Sequence, residues 1–156
     1  MPAEVSTKTL KIAVGADHGG YPLNERVLAE LRNAGHEIVD FGTHDGSQAD
    51  DYPDYARKVG EAVQRGEVNI GILVCGSGVG AAVAANKLRG IRAALCGDTY
   101  SAHQSREHDD CNVLCLGARV VGVELALDIV RAFVGARFSG EERHRRRVRK
   151  IEKMEE

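Results

Sequence analysis

The stretch Ile72–Lys87, "ILVCGSGVGAAVAANK", decides how the chain is read. An apolar run leads into glycines at positions 76, 78 and 80, and an alanine-rich segment follows. Such a run, bounded by glycine, fits a strand buried on both faces, and the small residues after it fit a closely packed helix. Glycines let the backbone turn sharply between the two, and the free N–H groups of a helix start favour anionic oxygen. Cys75 stands immediately before this loop. Amides at a helix start favour thiolate over thiol, and a thiolate serves as nucleophile or base. The plainer alternative is a tight turn with a buried packing cysteine.

Working outward, four more short β-rich runs end in glycine, aspartate or arginine: "LKIAVGAD" from Leu10, "HEIVDFG" from His36, "IRAALCGD" from Ile91 and "NVLCLGAR" from Asn112. Helical patterns fill the gaps. Leu23, Val27, Leu28 and Leu31 repeat at helical spacing, and Gly35 closes that segment. Tyr55–Val63, Val79–Leu88, Ser101–His108 and Val123–Val134 complete the alternation. Strands alternating with helices predict an α/β fold: a five-stranded parallel sheet, doubly wound and Rossmann-like, in three layers. A basic C-terminal helix over about 141–153 is additional, with Val148 and Ile151 as its narrow apolar stripe. The 156 residues suit one domain over residues 10–156, with residues 1–9 a flexible leader.

Composition narrows the function. The net charge of -2 gives no general pull toward nucleic acid, and "RHRRRVRK" (143–150) is a local basic run. There is no membrane-length apolar run and no signal-peptide core. The four cysteines form no CxxC pair, which argues against a disulfide framework or zinc site and for a cytoplasmic protein with reduced thiols.

In parallel sheets ligands bind beyond the carboxyl ends of the strands. That rule gathers Asp17 and His18, the segment Cys75–Gly80, Asp98 and Arg119. Each has a rival reading. Gly76, Gly78 and Ala81 also fit a dinucleotide fingerprint with Asp98 as the ribose acid, although the motif falls on the third strand and no second domain remains. Asp17 or His18 is equally a helix N-cap. His36 and His44 read as surface or loop residues. His103 and His108, five apart, do not share a helical face, which disfavours a metal pair. Arg143 and Arg147 do share one, and their guanidinium forks suit phosphate or carboxylate; a solvated charged face and a nucleic-acid tail are the alternatives.

Taken in order, "GADHGG", "DYPDYA", "GILVCGSGVGAAVAANK", "GIRAAL", "SREHDDCNVLCLGARVVG" and "RHRRRVRKI" resemble the type B ribose-5-phosphate isomerases, of the wider family that includes galactose-6-phosphate isomerase. The resemblance runs from Leu10 onward. It implies an aldose–ketose isomerase acting on a sugar phosphate through a cis-enediolate, with no metal and no cofactor. It makes Cys75 the base that moves the proton between C2 and C1, and His108 the acid that opens the furanose ring. Gly76, Ser77, Gly78, Val79 and Gly80 become the oxyanion loop. Asp17, His18, Asp109, Arg119, Arg143 and Arg147 become substrate and phosphate ligands. Family members without this cysteine use a glutamate six positions on; here that position is Ala81. One position departs: the family usually has asparagine after the catalytic histidine, and this chain has Asp109. A carboxylate cannot donate a hydrogen bond, so either the backbone N–H makes that contact or the sugar differs.

The expected reaction is therefore ribose 5-phosphate to ribulose 5-phosphate. Another aldose phosphate (galactose 6-phosphate, allose 6-phosphate or a tetrose phosphate), a non-catalytic nucleotide- or sugar-phosphate-binding module, and a dinucleotide-dependent oxidoreductase are the competitors. Topology adds one expectation. Cys75 ends the third strand, whereas His108 comes just before the fifth, at the opposite edge of the sheet. If both act on one sugar, they come from different chains of a homodimer, or of a dimer of dimers.

Overall fold

The structure is a computed structural model that describes residues 8–156. Most of the leader expected over residues 1–9 thus lies outside the described residues. The elements alternate throughout: β1 (Lys11–Ala16), α1 (Tyr21–Asn33), β2 (Glu37–Asp40), α2 (Tyr52–Gln64), β3 (Ile70–Cys75), α3 (Val79–Ala85), β4 (Ala93–Leu95), α4 (Thr99–Asp109), β5 (Val113–Gly117), α5 (Val123–Val134) and α6 (Glu142–Lys153). The strands form one parallel five-stranded sheet in the order β2-β1-β3-β5-β4. The α/β architecture is the one that the alternation predicts, with α6 as the extra helix.

Side-chain alternation along buried strands builds two cores. Ile12, Val14, Ile70, Ile72, Val74, Leu114 and Leu116 pack on one face with Leu23, Val27 and Leu31 of α1 and Ile129, Val130 and Phe133 of α5. Ala13, Leu73, Cys75, Val113 and Cys115 face the other way, against Ala56 and Val59 of α2 and Ala81 and Ala85 of α3. The helix after Leu31 ends as its sequence suggests. Gly35 has φ +89°, its N–H reaches Arg32 O and the His36 N–H reaches Leu31 O, a Schellman closure.

Two helix boundaries differ by three residues from the sequence expectation. α2 begins at Tyr52 rather than Tyr55, because Pro53 presets the first helical turn. α3 stops at Ala85 rather than Leu88. There the Asn86 amide bonds both the carbonyl and the N–H of Ala93, at 3.0 and 2.7 Å. Asn86 thereby acts as a side-chain neighbour for the outer strand β4, and the helix gives way to the turn through Gly90.

Candidate active site

The carboxyl ends of β1, β3 and β5 enclose a cleft of about 310 Å³, lined by Asp17, His18, Gly19, Tyr52, Cys75, Gly76, Ser77, Gly80, Arg119 and Val120. Two close backbone approaches shape it. Gly20 lies against β3 so tightly that a Cβ would stand 1.9 Å from Val74 O, which holds the β1–α1 turn beside Cys75. Gly78 has φ +82° and is the N-cap of α3, a left-handed conformation that L side chains rarely adopt. That turn points the Gly78 N–H at Cys75 Sγ, 3.1 Å away. The first N–H groups of α3 follow, with no acceptor inside the helix.

Cys75 is thus placed differently from the other cysteines. All four are unpaired and buried, but among them only Cys75 lines the cleft. Burial pushes the thiol of Cys96 up to about 11 and that of Cys111 to about 12, and it raises Cys115 as well. The packing reading fits these three.

Asp17 serves a structural and a site position together. It lines the cleft, while its Oδ1 accepts the Gly20 N–H at 2.9 Å and its carbonyl accepts the N–H groups of Gly20 and Tyr21. The turn into α1 is built on Asp17, although the N-cap itself is Gly20. His18 is fixed from the loop before α2: the backbone N–H of His18 donates to Asp50 Oδ1 at 2.9 Å, and His18 Nδ1 lies 2.7 Å from the same oxygen. Tyr55 Oη donates to Asp50 Oδ2 at 2.7 Å. Burial acts to raise the Asp50 pKa, but the hydrogen bonds from Tyr55 and His18 prevail and hold it below the ordinary carboxylate value. Asp17, His18 and Asp50 also offer ligand atoms within 4.8 Å of one another, so among the described residues they are the group that could hold a cation, although all three are engaged inside the protein.

Arg119 follows β5, and its N–H donates to Gly76 O at 3.0 Å. Its guanidinium lies over Gly76, where a Cβ would meet Arg119 Nη1 at 3.2 Å. Asp98, the rival ribose acid, is instead the N-cap of α4, with Ser101 N and Ser101 Oγ on its two oxygens at 2.6 and 2.9 Å. A larger groove of about 460 Å³ runs between α1 and the segment after β2, but it contains neither the thiol nor the glycine loop.

The remaining expected residues stand elsewhere. His108 and Asp109 end α4, and the Asp109 carbonyl accepts Arg92 Nε at 3.2 Å, just ahead of β4. Register puts Gly71 opposite Val113 and Cys75 opposite Gly117, so Cys75 lies roughly 13 Å along the strands from that amino edge. α6 packs on α4, where His144 stacks on His108; His144 and Val148 are buried, and Arg143 and Arg147 are exposed. Within one chain, then, Asp17, His18, Cys75–Gly80 and Arg119 come together, and His108, Asp109, Arg143 and Arg147 form a second group at the other edge.

The comparison with known proteins follows this geometry. Residues 12–151 match the family model described as Ribose/Galactose Isomerase. The chain belongs to that family. A ribose-5-phosphate isomerase B of Escherichia coli K12 is 51% identical over 146 residues, covering 94% of this chain and 97% of the relative. The solved Clostridium thermocellum ribose-5-phosphate isomerase B superposes with TM-score 0.90 at 52% identity, covering 93% and 97% of the two chains. The Mycoplasma genitalium ribose-5-phosphate isomerase B, solved with bound ribulose 5-phosphate, gives TM-score 0.87 at 39% identity over 93% and 95%. As a member of the ribose/galactose isomerase family, the chain is a sugar-phosphate isomerase. Tyr52 lines the cleft, and Asp50, bonded to Tyr55, fixes His18; sequence reading gave none of the three a role at the site. Tyr52 and Tyr55 fall in the matching segment "DYPDYA" (51–56), which names no role for them, and Asp50 stands just before it.

Proposed function

We propose that the chain interconverts ribose 5-phosphate and ribulose 5-phosphate through a cis-enediolate. The observation that carries this reading is Cys75 Sγ at the end of β3, lining the cleft and bonded to the loop whose amides open α3. The Cys75 thiolate takes the C2 proton of the open-chain aldose. The C2–H electron pair forms the C1=C2 bond, and the carbonyl pair moves onto O1. N–H groups from Gly76 to Gly80, with Ser77, hold that charge without a metal. The proton then returns to C1, the O2 proton passes to O1, and C2 becomes the carbonyl. Asp17 and His18 bind sugar oxygens from the opposite wall.

The second group of residues completes the site from a neighbouring chain. His108 opens the furanose ring, Asp109 contacts the substrate through its backbone N–H, and Arg143 and Arg147 bind the phosphate with Arg119. The separation of the two groups along the sheet supports a homodimer with shared sites. So do the exposed apolar residues Val79, Val83 and Leu95 beside the loop. A cytoplasmic location with reduced thiols accompanies this reading.

The test is a panel of ribose 5-phosphate, allose 6-phosphate, galactose 6-phosphate and erythrose 4-phosphate, with detection of the ketose product. Ribose 5-phosphate should give the highest kcat/KM. A higher value for another sugar would move the assignment to that sugar, and no turnover of any would favour a binding module.

A further inference from the structure

Glu107 has no part in the reaction as described, yet its carboxylate ties two histidines together. Its Oε2 lies 2.5 Å from Nε2 of His103, one turn earlier on α4, and its Oε1 lies 3.5 Å from Nε2 of His108. The His108 ring is stacked on that of His144, with centroids 4.1 Å apart and planes inclined by 22°. His144 is itself fixed: it is buried, and its Nδ1 lies 2.5 Å from Ser139 Oγ. The Ser139 N–H in turn donates to the carbonyl of Glu107 at 2.9 Å. His108 therefore has a carboxylate at one edge and a held ring on one face, and the groups that hold it are bonded to each other.

We propose that Glu107 is a positioning residue for His108, fixing the imidazole's orientation and keeping a proton on the nitrogen that faces it, with His103 anchoring the carboxylate. The proposal rests on the reading of His108 as the ring-opening acid. An ionised carboxylate only accepts, so at an ion-pair distance of 3.5 Å its charge favours an N–H on the edge of His108 turned to it, and Nδ1 is left to serve the sugar. In ring opening the C1–O4 bond breaks, O4 takes the Nδ1 proton of the imidazolium, and the O1 proton passes to water. Glu107 touches none of these atoms; it governs where the proton donor points. The spacing of His103 and His108 disfavours a shared metal, and Glu107 supplies the link between them instead.

Ring opening is needed in one direction only, which makes the proposal separable from a structural role. Ribose 5-phosphate is a furanose in water. Ribulose 5-phosphate, with its C5 hydroxyl phosphorylated, stays open. The equilibrium constant ties kcat/KM of the two directions together, so a loss confined to ring opening appears as forward kcat and KM falling in step, with furanose held unproductively on the enzyme. Initial rates are measured in both directions for Glu107→Gln, Glu107→Asp, His103→Gln and His108→Asn. Glu107→Gln should lower kcat on ribose 5-phosphate about tenfold or more, a share of the ~10²–10⁴ that a positioned acid contributes, with KM falling in step and the ribulose 5-phosphate rate within about twofold. Glu107→Asp should recover part of the loss, and His103→Gln should fall between wild type and Glu107→Gln. Equal losses in both directions, or none, would overturn the proposal. A forward-selective loss in His108→Asn without one in Glu107→Gln overturns it alone; absence of that loss in both variants overturns the reading of His108 as well.

Discussion

The Sγ of Cys75 accepts the N–H of Gly78 at 3.1 Å, so thiol and glycine loop are one piece of backbone. A sugar seated against the loop amides is necessarily beside the thiol. The other three cysteines have no such neighbour, and burial pushes Cys96 to about 11 and Cys111 to about 12.

Thiol alkylation of the native protein near neutral pH should therefore label Cys75 ahead of Cys96, Cys111 and Cys115, and ribulose 5-phosphate should protect it. Peptide mapping reads both. Cys75→Ser should keep the melting temperature and product binding yet lose about 10²–10⁴ in kcat, since a hydroxyl is too weak an acid to supply the base. Near-native turnover in Cys75→Ser contradicts the mechanism.

Asp50 predicts a pH effect. Its folded pKa lies below the unfolded value because the hydrogen bonds from Tyr55 and His18 outweigh burial. A depressed carboxylate adds stability above its unfolded pKa of ~3.9 and loses it as pH falls through the folded value. In urea titrations across the acid range, wild type should lose more stability than Asp50→Asn. Parallel curves would show that the Asp50 charge is not what holds His18 to the loop before α2.

Arg143 and Arg147 are exposed on α6 beside the buried His144 and Val148, so their removal should leave the fold intact. Each alanine variant should weaken ribose 5-phosphate by ~1.5–3 kcal/mol, appearing mostly in KM, with little effect on binding of unphosphorylated ribose. Equal weakening of both sugars would make the arginines structural.

Much of this was legible from the chain. Buried parallel strands announce themselves as runs such as "IGILV", and the glycine loop after Cys75 marks the ligand edge of the sheet. What periodicity does not show is contact between loops. Asp50 reaches His18 across 32 positions, and nothing local to either residue signals that bond. The early end of α3 is of the same kind, because Asn86 is drawn off by Ala93 of the edge strand. Asp98 fits a ribose acid by spacing alone, and its capping of Ser101 emerges only with the start of α4. The pair His103 and Glu107 was readable as an i,i+4 contact, but the carboxylate's reach to His108 depends on rotamers that a sequence does not carry.

The central claim is that the thiol group of one chain and the His108 group of another act on one sugar. The measurement is activity after Cys75→Ala and His108→Asn proteins are unfolded together in equal amounts and refolded, each being nearly inactive alone and subunit exchange being verified by mass. Random pairing makes half the dimers mixed, and each mixed dimer holds one site with both native groups, so about a quarter of wild-type activity should return. No recovery, with exchange verified, would mean that Cys75 and His108 act within one chain, and would contradict the shared site.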